Sequence, residues 1–80
     1  MKIDNTIQEM SFNFSVLVSG LYKKLIDNKE YVLSKQLVRS ATSIGANIEE
    51  AIAGQSKRDF ISKMSIASKE VRETRYWLRL

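Results

Sequence analysis

Apolar residues recur every third or fourth position through nearly all of this 80-residue chain, which has no proline and only three glycines, at 20, 45 and 54. That spacing is the repeat of one α-helix face, not the alternation of a strand, and no proline interrupts it. The sequence therefore predicts an all-α fold. A first helix is expected from about Asn5 to Ile26, with Ile7, Met10, Phe14, Leu17, Leu21 and Leu25 as its apolar seam and Val18 widening it. Asp27-Asn28-Lys29 is the expected turn. A second helix should run from about Glu30 to Ala53, with Glu30 in the first turn, where the helix dipole favours a carboxylate, and Gly54 ending it. Ser56-Lys57-Arg58-Asp59 resembles a capping box with Asp in place of Glu. It opens a third helix over 57–80, whose seam is Phe60, Met64, Ala67, Val71, Thr74 and Leu78.

Three long helices joined by very short turns must fold back as antiparallel neighbours, giving an elongated up-down-up bundle in one domain spanning 1–80. Gly45 in mid-helix costs about 0.8–1 kcal/mol relative to alanine, so close approach of another helix explains it better than propensity does. So short a chain rarely draws more than about 3–5 kcal/mol from a single core. With no cysteine or histidine there is neither disulfide nor zinc site to reinforce it, and self-association is the expected remedy. Met1-Lys2-Ile3-Asp4 lacks the basic-then-apolar signature of an export signal, and no apolar run approaches the roughly 18 residues of a membrane span. A cytoplasmic protein without membrane contact is expected.

Charge is distributed unevenly. Residues 1–28 and 29–55 each carry three basic and three acidic side chains, whereas residues 56–80 carry seven and three, so the formal charge of +4 belongs to the third helix. At about 100° per residue, Lys57, Arg58, Lys69, Arg72, Arg75 and Arg79 fall on one flank of its seam, and Asp59, Glu70 and Glu73 on the other. Such a row can track a phosphate backbone. A solvated face that keeps the protein soluble is the bland alternative. The acidic flank also carries Ile66 and Trp77, a second apolar stripe. Trp77 suits a subunit interface, where tryptophan is enriched, or stacking on a base, and packing is the favoured reading because it lies away from the basic row.

In the second helix the seam Leu37, Ala41, Ile44, Ile48 and Ala51 is bordered by a polar stripe of Arg39, Ser43, Asn47 and Glu50. A cation, a hydroxyl, an amide and a carboxylate beside the core suggest groups that must meet defined partners. Glu70 and Glu73, on the antiparallel third helix, are the expected partners of Arg39, in a contact that sets register more than it stabilises. Catalytic chemistry finds little support. Ser-His, Cys-His and thiolate chemistry are absent with their residues, no phosphate-cradling glycine loop is present, and Glu50, Glu70 and Glu73 offer only a weak magnesium-binding pattern. The expectation is no catalytic residue, no metal and no cofactor.

The segment Gln36 to Ala51, followed by Asp59-Phe60 and by Ile66 to Leu78, closely resembles the bacterial four-helix bundle family of ribosomal RNA intervening-sequence proteins, over about half of the chain. That family is similar to the accessory variability protein of diversity-generating retroelements. The resemblance implies an antiparallel bundle assembled as a ring-like homopentamer with a basic surface, and for the retroelement branch it implies binding of nucleic acid and of a reverse transcriptase. By position, the family's Arg-x-x-x-Ser-x-x-x-Asn-x-x-Glu pattern falls on Arg39, Ser43, Asn47 and Glu50. Its Glu-x-x-Glu-Thr-x-Tyr-Trp pattern falls on Glu70, Glu73, Thr74, Tyr76 and Trp77, all as structural or interfacial positions. Members continue into a fourth helix, whereas this sequence stops at Leu80. The expectation is a truncated product, or a groove beside Trp77 and Leu78 filled by another copy. The functional expectation is a non-enzymatic oligomer that contacts RNA or DNA through the basic flank of the third helix with little base specificity. The alternative is an interaction scaffold whose same flank faces an acidic protein.

Overall fold

The computed structural model describes residues 5–80. Met1 to Asp4, which bear on the export question, lie outside the described residues. Three α-helices of 23 residues each account for almost all of the rest: α1 (Asn5–Asp27), α2 (Tyr31–Ala53) and α3 (Lys57–Arg79). Among the described residues, no helix is long and apolar enough to cross a membrane.

The helix ends follow from local chemistry. Lys29 adopts a left-handed conformation (φ 64°), its N–H donates to Ile26 O at 2.9 Å, and the Glu30 N–H donates to Leu25 O at 2.8 Å. This pair of bonds is a Schellman motif with lysine where glycine is usual, and it captures the last carbonyls of α1. Glu30 is consequently the N-cap of α2 rather than a member of its first turn, and its side chain makes no capping bond. Gly54 ends α2 in an extended conformation (φ −61°, ψ 146°), so positive φ is not what its place demands. A Cβ there would instead meet Asp59 Cβ at 3.2 Å and Ala51 O at 3.1 Å. At the start of α3 the Ser56 Oγ accepts the Asp59 N–H at 3.0 Å, which satisfies one of the four N–H groups that open every helix.

The bundle measures 44 × 19 × 16 Å, with α1 and α3 each packed along α2 and not along one another. The central helix buries its whole expected seam, Leu37, Ala41, Ile44, Ile48 and Ala51. Two apolar clusters result. Val18, Leu37 and Ala41 form one, flanked by Leu25, Val38 and Trp77, and Ile44, Ile48 and Ala67 form the other, flanked by Ile52 and Met64, while Phe14 touches both. Gly45 faces α1, but a Cβ there would lie 3.4 Å from Ser15 Oγ and 3.6 Å from Ser11 O, ordinary contact distances that do not by themselves demand glycine. Fully burying a side chain such as Leu37 contributes about 1.5–3 kcal/mol, and most of that favourable burial is concentrated on α2.

The outer helices depart from the expected seams. In α1 the buried apolar residue is Val18, whereas Met10 and Leu17 remain 64% and 72% exposed. In α3, Ala67 and Thr74 are buried but Val71 and Leu78 are about half exposed. Both helices are rolled so that the centres of their seams face a shared groove of about 780 Å³ over Ile44 and Ile48, with Met10, Leu17, Val71 and Leu78 along its walls. Leu78 borders this groove as expected, but Trp77 does not, because it packs on the other side of α3 against the Val18 cluster.

Candidate nucleic-acid interface

The surface of α3 divides into an inward acidic edge and an outward basic one. On the inward edge Glu70 is buried at 7% exposure, and its Oε2 stands 3.5 Å from the Arg39 Nη1. That oxygen makes no hydrogen bond, so the pair is a charge contact without a directed bond. The Arg39 Nη2 donates to Glu73 Oε1, and its Nε donates to Gln36 Oε1 at 3.4 Å. Glu73 Oε1 also accepts the Trp77 indole N–H at 3.3 Å. One turn inward, the buried Thr74 hydroxyl donates to Ser40 Oγ at 2.9 Å, and Ser40 in turn donates to Leu37 O at 3.3 Å. A buried hydroxyl pair of this kind satisfies both groups and ties α2 to α3 at one register.

The structure thus brings Arg39, Glu70 and Glu73 together and leaves the rest of the polar stripe apart. Asn47 Nδ2 donates to Ser43 O at 2.8 Å and to Ser43 Oγ at 3.1 Å, a contact within α2, and Glu50 is exposed. Among the described residues, no group of three or more carboxylates, histidines or cysteines is placed to hold a metal ion.

On the outward edge Lys57, Arg58, Lys69, Arg72, Arg75 and Arg79 are all exposed. They form two groups, because Lys57 and Arg58 at the start of α3 lie roughly 20–33 Å along the helix from Arg72, Arg75 and Arg79, with Lys69 one turn before Arg72. Arg72 is steadied by donating to Ser68 Oγ at 3.2 Å. The acidic side chains do not cancel the C-terminal group of this edge, although Asp59 lies next to Lys57 and Arg58. Glu70 and Glu73 are turned toward Arg39, while Asp59 sits at the opposite end of the helix beside the cap.

Tyr76 is not among the binding residues expected from the sequence. It is 57% exposed and, with Arg72, Arg75 and Arg79, lines a shallow depression of about 280 Å³. Its spacing of i+4 from Arg72 and i−3 from Arg79 was the available signal. Trp77 is half-buried and packed within the bundle, and Ile66, three helical turns before it, is 38% exposed.

The sequence model of the 23S rRNA-intervening sequence protein family matches residues 4–80. Among solved structures, the chain is similar to the crystal structure of a protein of unknown function from the S23 ribosomal protein family of Bacteroides thetaiotaomicron. The two share 53% identity and a TM-score of 0.89, over 91% of this chain and 68% of that one. No curated protein matches.

Proposed function

Because the chain belongs to the 23S rRNA-intervening sequence protein family, we propose that it is a cytoplasmic, non-enzymatic binding protein that holds RNA or DNA against the outward edge of α3 with little base specificity. The observation that carries this reading is the separation of charge on α3. Its two C-terminal carboxylates are drawn inward to Arg39 while three arginines and Lys69 stay in solvent. Phosphate contacts from such a row are sequence-independent and release counterions, so affinity falls as salt rises. With all six cations engaged, log affinity against log salt should have a slope of very roughly −4 to −5. Filter binding or anisotropy across a salt series measures it. A flat dependence, or no binding at low salt, overturns the proposal. If Arg72→Glu with Arg75→Glu abolishes capture of an acidic protein partner yet leaves nucleic-acid binding intact, the edge serves a protein interface instead.

The chain is also read as a homo-oligomer. Its buried apolar residues are Val18, Leu37, Ala41, Ile44, Ile48, Ala51 and Ala67, three of them alanines, and that is a small core for three long helices. The groove between α1 and α3 offers a largely apolar surface for further burial. Light scattering at micromolar concentration tests this, and a stable monomer contradicts it.

A further inference from the structure

We infer that Tyr76 is a stacking platform for an unpaired base, so that the ligand of the α3 edge is a single-stranded stretch of nucleic acid rather than a duplex. This rests on the nucleic-acid reading of that edge and narrows it to one class of ligand. Three observations converge on the ring. First, Tyr76 is braced: it meets Trp77 edge to face, with centroids 5.2 Å apart and planes at 74°. Trp77 is itself held by the Val18 cluster and by its bond to Glu73, which Arg39 fixes in turn. A ring supported in this way loses little freedom when a base lands on it. Second, the ring is more than half exposed although its neighbour is packed inside. Third, Arg72, Arg75 and Arg79 line the same shallow depression as the ring, placing cations beside the path of the phosphates of a stacked nucleotide.

The depression beneath these side chains is too shallow to enclose a small molecule, since such pockets run to roughly 300–1,000 Å³ with most of the ligand buried. Stacking needs no enclosure. It needs a flat π-face with positive charge beside it, and it tolerates any base. A duplex presents no free base face, so an aromatic ring on a convex helix has nothing to stack on there, whereas unpaired bases splay onto such rings.

The test uses the whole 80-residue chain, a fluorescein-labelled oligouridylate and duplex RNA of equal length, followed by anisotropy. The single strand should bind more tightly. Tyr76→Ala should weaken single-strand binding about five- to a hundredfold while leaving duplex binding and the salt slope unchanged. Tyr76→Phe should retain wild-type affinity. Tyr76→Leu, which keeps apolar volume without a π-face, should behave like Tyr76→Ala and covers the case in which alanine disturbs folding. Wild-type affinity in both Tyr76→Ala and Tyr76→Leu, or duplex bound as tightly as single strand, overturns the inference. If Arg72→Ala with Arg75→Ala flattens the salt slope while the tyrosine variants are silent, stacking fails and the basic edge stands. If nothing binds at low salt, both fall.

Discussion

Helices α1 and α2 have the same length, and each carries an apolar seam of helical period, yet they are buried very differently. All five seam residues of α2 are inside, while Met10 and Leu17 of α1 stand more than three-fifths in solvent. The difference lies in their neighbours. α2 has a helix on each side, so every direction its seam can point meets apolar surface, whereas α1 has one neighbour and turns its edge, not its centre, toward it. Periodicity therefore identifies which residues want burial, and packing decides which of them obtain it.

The sharpest way to break this comparison is at the centre of the bundle. Leu37→Ala should cost about 2–5 kcal/mol in urea unfolding, since it opens a cavity beside Val18 and Ala41. A cost as small as that of a surface site would mean that α2 is not the organising helix. Next in size is the polar lock between α2 and α3: Arg39→Ala should lose about 1–3 kcal/mol, because Glu70 is then left buried without its cation. Measuring Arg39→Ala alone, Glu70→Ala alone and both together isolates the pairing from the loss of packing. At the turn joining α1 to α2, Lys29→Gly should stabilise by about 1 kcal/mol, relieving the left-handed conformation that lysine now holds. An unchanged or lower unfolding midpoint would contradict the Schellman geometry.

The smallest effect is expected at Leu17→Ala, below about 0.5 kcal/mol in dilute monomer because little of the side chain is buried. A loss of about 2 kcal/mol or more that grows with protein concentration would instead show the α1 seam covered in an assembly. That outcome would erase the contrast with α2 and establish that the groove is an interface.

The candidate interface was legible in unequal parts. The basic row on α3 follows from a 100° step and needs no tertiary information, as does the position of Glu70 and Glu73 on the opposite flank. The partnership of Arg39 with those carboxylates was accessible because short turns force α2 and α3 to run antiparallel. Ser43 and Asn47 look like interhelical groups by spacing, yet the Asn47 amide donates to Ser43 within α2, which sequence cannot distinguish from a contact across two helices. The exposure of Tyr76 beside a packed Trp77 is not readable from spacing, because it depends on which of two adjacent rings packs inward.

By itself the sequence determined three helices, their ends to within a residue or so, the seam of the central helix and the side of α3 that carries charge. Each of these depends on interactions spanning no more than a few residues: caps, turns and the helical repeat. The tertiary structure decided how far α1 and α3 roll about their own axes, and with that roll which seam residues face the groove and which aromatic ring is left in solvent. Rotation of a helix about its axis leaves every local hydrogen bond intact, so only the shape and apolar surface of its neighbours can set it.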